Sequence, residues 1–272
     1  MTAPKRMISY AQNSEDVVLR NAFFDQPTGF YVDVGAGDPV EDSVTKHFYD
    51  LGWHGINIEP LPRRFARLRE QRNRDTNLQI AVGAENGRLR LTEANIDGFS
   101  TLDPGNAETL RAGGASLRSF DVEVKTLARV LEDHAPTTID FLKVDVEGFE
   151  KNVLVGADLT RFRPRVIVVE DTRRDEWEPL VLEAGYIRTC FDGLNLFFVR
   201  EEDADILAPR LSRPAVWGID NYDPYPYLLL ADAAGRFPGR RLREILRRTP
   251  LGPAVRRMRR RDRKTHPAKG RD

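Results

Sequence analysis

At 272 residues the chain is long enough for one α/β domain with additions and a proper core. Its one cysteine, Cys190, excludes a disulfide framework or a cysteine-built zinc cluster within the chain, and no apolar run approaches the roughly 20 residues needed to span a bilayer. The formal net charge of +0 hides an asymmetry: from Arg236 onward 15 Lys/Arg stand against 3 Asp/Glu, so this stretch carries +12 and residues 1–235 carry −12. The start of the chain lacks the apolar core of a signal peptide, which points to a cytoplasmic protein. The basic stretch reads as a solvated, flexible tail, or as a tether to an anionic surface such as a membrane, nucleic acid or an acidic partner.

In chain order, Val17, Val18, Leu19, Ala22, Phe23 and Phe24 are spaced for one face of a helix. Asn13 or Ser14 would cap it, with Glu15 and Asp16 in its first turn. Phe30-Tyr31-Val32-Asp33-Val34 reads as a strand buried on both faces. It breaks at Gly35-Ala36-Gly37, where residues without a Cβ let the backbone turn tightly beside a ligand. Asp33 inside that apolar run requires a partner. Asp42 or Ser43 can cap a helix that runs to Leu51 and stops at Gly52. Gly55 to Ile58 is a second strand ending in Glu59, placed to accept both hydroxyls of a ribose. The dinucleotide fingerprint wants a third glycine where Val40 stands, which argues against NAD or FAD but not against S-adenosylmethionine (SAM).

Pro62 opens the next helix, which ends near Asn73, and Leu78 to Gly83 reads as a third strand. Gly87 to Leu91 looks like an added hairpin arm. The stretch from Asn95 to Ser119, rich in Gly, Ser, Asn and Asp, reads as a long loop of functional or mobile kind. Phe120 to Val124 alternates like an edge strand. Ile139 to Gly148 is a buried strand ending in Asp145 and Glu147, and Val166 to Val169 is a β-branched strand ending in Glu170 and Asp171. A helix over 177–185 follows, and Tyr186 to Cys190 with Asn195 to Val199 form a closing hairpin across Asp192-Gly193. The alternation predicts a doubly wound, mostly parallel α/β sheet.

Ligands in such sheets bind beyond the carboxyl ends of the strands, where Asp33, Glu59, Asp145, Glu147, Glu170 and Asp171 are all expected. Repulsion between Asp145 and the Glu170-Asp171 pair calls for a cation or a shared proton, and oxygen ligands of this kind suit Mg²⁺ or Ca²⁺. The alternative is that Lys143, Arg165 or backbone amides hold these acids. His47 and His54 are further candidates for a general base, against the ordinary reading of surface or core histidines.

Together these motifs resemble the FkbM family of SAM-dependent methyltransferases, within the class I, Rossmann-like fold. The matching blocks are Ser9-Tyr10-Ala11-Gln12 with Glu15-Asp16, Tyr31 to Gly37, Phe48-Tyr49 with Gly52 to Gly55 and Ile58-Glu59-Pro60, and Asp140 to Gly148. The resemblance covers residues 8–200 and implies a seven-stranded sheet whose last strand is antiparallel, SAM as methyl donor, and a hydroxyl acceptor, often on a sugar. The family commonly has Asn where this chain has Gly37. Four segments follow: an N-terminal helical segment (1–28), the SAM-binding domain (29–200), a C-terminal extension covering the acceptor side (201–235), and the tail (236–272). Gln12, Asp16, Asp33, Gly35, Gly37, Glu59, Val82 and Asp145 are expected at the cofactor. Asp145, Glu170 and Asp171 are expected around the acceptor hydroxyl as base or as Mg²⁺ ligands. Glu147, Ser100, Thr101, Trp217, Tyr222, Tyr225 and Tyr227 are expected on the acceptor side, where aromatic faces suit sugar rings. A saccharide O-methyltransferase is therefore expected. The alternatives are an inactive nucleotide-binding scaffold with a basic partner-binding tail, and an RNA methyltransferase, which an acidic body opposes.

Overall fold

The computed structural model of the chain describes residues 6–94, 100–102, 104–112, 114, 116–171 and 176–229. Seven strands form the main sheet: β1 (Phe30–Val34), β2 (His54–Ile58), β3 (Thr76–Leu78), β4 (Phe141–Val144), β5 (Val166–Glu170), β6 (Tyr186–Phe191) and β7 (Asn195–Arg200). Their spatial order is β6-β7-β5-β4-β1-β2-β3. The run β3-β2-β1-β4-β5 is parallel throughout, and β7 is antiparallel to both of its neighbours. The strand order reverses between β1 and β4, the switch point at which open α/β sheets leave a crevice. This is the class I, Rossmann-like arrangement.

Alternate residues of these strands serve two cores, as the period of two demands. Val32, Val34, Ile56, Ile58, Leu142, Val144, Ile167 and Val169 pack on one face beneath the helix Leu127–His134. Tyr31, Phe141, Val166, Val168 and Phe197 pack on the other, under helix α1 (Glu15–Ala22) through Val18, Leu19 and Ala22. Each fully buried Val or Leu of α1 is worth about 1.5–3 kcal/mol against exposure. That burial, more than propensity, makes eight residues a helix.

The register decides what stands at the crevice. Val34 pairs with Ile58 on one side and Val144 on the other, and Val144 pairs with Val169. The next residue of each strand therefore reaches the same edge: Gly35, Glu59, Asp145 and Glu170.

Several local expectations are corrected. Ser14 does precede α1, but in the left-handed region (φ 65°) and without a side-chain cap. The acids beside it bind the preceding turn instead: Asn13 N donates to Glu15 Oε2 and Tyr10 N to Asp16 Oδ2, both at 2.8 Å. The second helix spans only Lys46–Asp50; Thr45 precedes it in place of Asp42 or Ser43, and its hydroxyl donates to Asp33 rather than capping the helix. Leu78 to Gly83 is not one strand. Thr76–Leu78 belongs to the main sheet, and Ala81–Val82 pairs parallel with Val124 and Lys125 in a second sheet.

That second sheet is the added arm. It has four strands in the order 81–82, 117–125, 87–94, 100–101. Gly87–Ala94 and Leu117–Lys125 pair antiparallel along their length. The stretch read as a long loop carries the strand Ser100–Thr101 and the helix Pro104–Ala112. Its polar composition hid the helix formers around Ala107, whose side chain is buried. Leu91, Val122 and Val124 pack with Ala81 and Leu61, which fastens the arm to the body.

Residues 9–222 form one compact unit, and among the described residues 6–8 and 223–229 belong to another. The helix Ala204–Arg210 lies in the first, where Arg210 Nη1 donates to Ala22 O and pairs with Asp25, both at 2.9 Å. In the second, Arg6 pairs with Asp223 at 3.3 Å. The tail expected at 236–272 lies outside the described residues. No helix among the described residues is long and apolar enough to cross a membrane.

Candidate functional site

The turn after β1 is set by what crowds it. Gly35 has φ +84°, and a Cβ there would lie 1.8 Å from the Asp145 carbonyl oxygen. Only glycine lets β1 and β4 end this close together. Gly35 N and Ala36 N both donate to Ile58 O, at 3.0 and 3.1 Å, which clamps the turn to β2. Gly37 N then donates to Glu59 Oε2 at 2.9 Å, and Leu61 N to Glu59 Oε1 at 2.8 Å. Burial pushes the Glu59 carboxyl up to about 7, against the pull of these two amides and of Arg64. A carboxylate has about four lone-pair directions, so two remain for a pair of hydroxyls.

The cleft beside this turn is lined by Gln12 and Glu15 from the N-terminal segment, Asp33, Gly35 and Ala36 from β1 and its turn, Asp42 and Val44 from the next loop, and Lys143 and Asp145 from β4. Lys143 is the cation within it. Its Nζ donates to Asp145 Oδ2 at 2.9 Å, with only 3% of the side chain exposed. Burial works against that charge, but Asp145, Glu15 and Asp33 outweigh it and raise the lysine above its ordinary value. Burial lifts Asp33 to about 6, with Lys143 and the Thr45 hydroxyl (3.1 Å) pulling down. Burial also raises Glu15, with Lys143 again the main counterweight. Asn195 Nδ2 donates to Glu15 Oε1 at 2.7 Å, which ties the start of α1 to β7.

At the end of β5, burial and the neighbouring Asp145 and Glu147 push Glu170 up to about 8, so near neutral pH it holds a proton. Its Oε2 is buried without a partner among the described residues. Burial and Asp145 likewise lift Glu147 to about 7. Glu147 has φ +56°, and its carbonyl accepts the Thr101 hydroxyl at 3.1 Å, which brings the arm to the end of β4.

Of the residues expected at the site, Gln12, Asp33, Gly35 and Asp145 line the cleft, with Gly37 and Glu59 directly joined at its edge. Asp16 does not line it. Burial raises this acid to about 7, and it accepts Ser9 Oγ at 2.7 Å besides Tyr10 N, so it secures the N-terminal segment. Val82 is a core residue. Asp171 follows β5, its N bonded to Leu194 O at 2.8 Å. Ser100 begins the short strand opposite Glu93, and Thr101 meets Glu147. Trp217 is 58% exposed and Tyr222 is buried against Ser14; neither lines the cleft. Tyr225 and Tyr227 fall in the other unit. His47 is pushed down to about 4 by burial and Arg20, and His54 packs edge-on against Phe30; neither ring reaches the cleft.

The Mg²⁺ expectation does not fit these residues. Among the described residues no group of three or more His, Cys, Asp or Glu side chains is arranged to hold a metal ion. The charges expected to need one are met otherwise: Lys143 stands beside Asp145, and a proton on Glu170 relieves its repulsion with Asp145. Sequence reasoning missed Glu15, Asp42, Val44 and Arg64 at the site. Arg64 faces Glu59, Asp42 and Glu147 from the helix Pro62–Gln71. The signal for Glu15 was its place beside Asp16; that for Lys143 was a lysine inside an apolar strand.

Residues 33–189 match the family model described as the methyltransferase FkbM domain. The methyltransferase sdnD of Sordaria araneosa is 36% identical over 127 residues, a match covering 38% of this chain and 46% of that protein. The matched part is thus less than half of that relative's length. Two solved structures are among those similar to the chain. The TehB-like SAM-dependent methyltransferase of Corynebacterium glutamicum has a TM-score of 0.37 at 10% identity, over 68% of this chain and 88% of its own. The precorrin-6y C5,15-methyltransferase of Geobacter metallireducens has a TM-score of 0.40 at 13% identity, over 73% and 93%.

Proposed function

The chain belongs to the methyltransferase FkbM family, and from that premise we propose that it is a SAM-dependent O-methyltransferase acting on a hydroxyl of a saccharide. The observation that carries the reading is the register that delivers Gly35, Glu59 and Asp145 to one edge at the switch point. When bound, SAM supplies a methyl group on a sulfonium, ready for in-line displacement by an oxygen. The protein's work is then mainly to position two reactants. Glu59 accepts the ribose hydroxyls with the lone pairs that Gly37 and Leu61 leave. The Gly35–Gly37 backbone and Asp33 line the methionine side.

An alcohol is a weak nucleophile near neutral pH, so a base must take its proton. Asp145 is that base, at its Oδ atoms facing the cleft, with Glu170 protonated beside it. The acceptor class follows from charge. Besides Asp33 on the methionine side, the cleft carries Glu15, Asp42 and Asp145, with Lys143 as its cation, which offers acceptors to a polyol and repels phosphate.

Calorimetry with SAM is the first test: heat of binding that Glu59→Ala weakens at least tenfold is expected, and no heat from SAM would end the proposal. A panel of methyl glycosides with labelled SAM then tests the acceptor, with transfer expected to be the same with and without EDTA.

A further inference from the structure

We propose that Lys143 is the resident cation of the acceptor site, holding the acceptor oxygen by a hydrogen bond from its ammonium group. This rests on the O-methyltransfer reading above. Lys143 is buried in an apolar strand, where an ammonium costs several kcal/mol unless it is paired, and Asp145, Glu15 and Asp33 meet that need. Among the described residues it donates one hydrogen bond, to Asp145 Oδ2. An ammonium has three N–H donors. The same side chain lines the cleft, so donors remain for a ligand oxygen there.

The charged groups around it come from four directions: Glu15 at the start of α1, Asp33 on β1, Asp145 at the end of its own strand, and Glu147 and Glu170 beyond. Structural neutralisation alone needs a cation, but not one that also faces the cleft. Because Lys143 and Asp145 line one cleft and are bonded at 2.9 Å, a hydroxyl set against the pair from the cleft can accept from another Nζ–H while it donates to the carboxylate. In the step, the acceptor O–H proton passes to Asp145 as the oxygen–methyl bond forms. The carbon–sulfur bond breaks, and sulfur leaves with its electron pair as a neutral thioether. The ammonium stabilises the oxygen as it gains negative charge, which is the service a Lewis acid gives.

The test uses the full chain, SAM, and the best methyl glycoside of the panel, with K143Q and K143R compared to the wild type. Binding of SAM and of the glycoside is measured by calorimetry and turnover by labelled methyl transfer. Expected for both variants are a SAM Kd within about threefold of wild type, weaker glycoside binding, and a kcat lower by about 10²–10³. K143R keeps the charge but moves the donors, so it separates two roles. Wild-type kcat and wild-type glycoside affinity in K143R would assign the lysine to charge balance and overturn the proposal, even if K143Q fails to fold. A raised SAM Kd with kcat intact at saturation would assign it to the donor and overturn it equally. A wild-type protein that binds no SAM or methylates no glycoside sinks the O-methyltransfer reading together with this one, whereas normal wild-type turnover with unaffected variants sinks this one alone.

Discussion

Glu59 shows how much one side chain is asked to do. Its carboxylate closes the glycine turn through Gly37 and Leu61, and burial holds it at about 7, so near neutral pH it is poised between two states. Ribose hydroxyls donate to the ionised form. SAM affinity is therefore expected to weaken as pH falls through about 7, and calorimetric titrations from pH 6 to 8 check this; a flat profile in wild type would remove Glu59 from the ribose. Gly35 is the second sensitive position. Gly35→Ala combines left-handed backbone with a Cβ 1.8 Å from a carbonyl oxygen, and a loss of about 2–4 kcal/mol is expected in urea unfolding. Both residues were legible in the sequence, because a glycine turn and a strand-end acid are local signals. Glu15 was not, and Lys143 was legible as a partner for the strand-end acids but not as a wall of the cleft. Which way a buried charge points depends on register across β1, β4 and α1, and a single sequence does not carry that register.

At the scale of elements, the start of α1 is held by side chains where a capped helix would hold itself. Glu15 bridges Asn13 N and Asn195 Nδ2, and Asn195 is fully buried at the head of β7. Asn195→Ala strips a buried carboxylate of one donor, so a loss of about 1–3 kcal/mol is expected. Thermal melts would read it, together with a change at Gln12 and Glu15 in the cleft seen as weaker SAM binding. A variant as stable as wild type would mean that Asn195 does not anchor the helix. The strand and helix order was legible from alternating apolar runs, and so was the closing hairpin at Asp192-Gly193. The arm was read only in outline. Its Gly- and Ser-rich composition is that of a loop, and pairing between Leu117–Lys125 and Gly87–Ala94 supplies the order that local propensity lacks.

For the molecule as a whole, the buried acids set how stability responds to pH. Asp16, Glu59 and Glu147 stand at about 7 and Glu170 at about 8 in the folded protein. Unfolded, such groups release their protons near pH 4. The stability they lend is complete below that value and is lost as pH rises through 7 and 8, because the folded state then binds the extra protons. His47, at about 4 folded and 6.5 unfolded, acts in the opposite sense but only between those values. From pH 6.5 to 8.5 the acids act without it, so the Tm of ligand-free protein is expected to fall across that interval in scanning calorimetry; a level or rising Tm would contradict their burial. The main sheet's two-sided core was legible as a fold class, whereas this shared protonation arises only from the burial that folding creates. The place where the arm joins the body has a consequence of its own. Val82 lies beside Lys125, and Gly83 N reaches Lys125 O at 3.1 Å, so the chain departs and returns through a single doorway. Beyond that doorway the arm is a cul-de-sac in the wiring, whose length can change without re-threading any of the seven strands, provided Leu61 and Ala81 keep an apolar neighbour and Thr101 keeps its bond to Glu147.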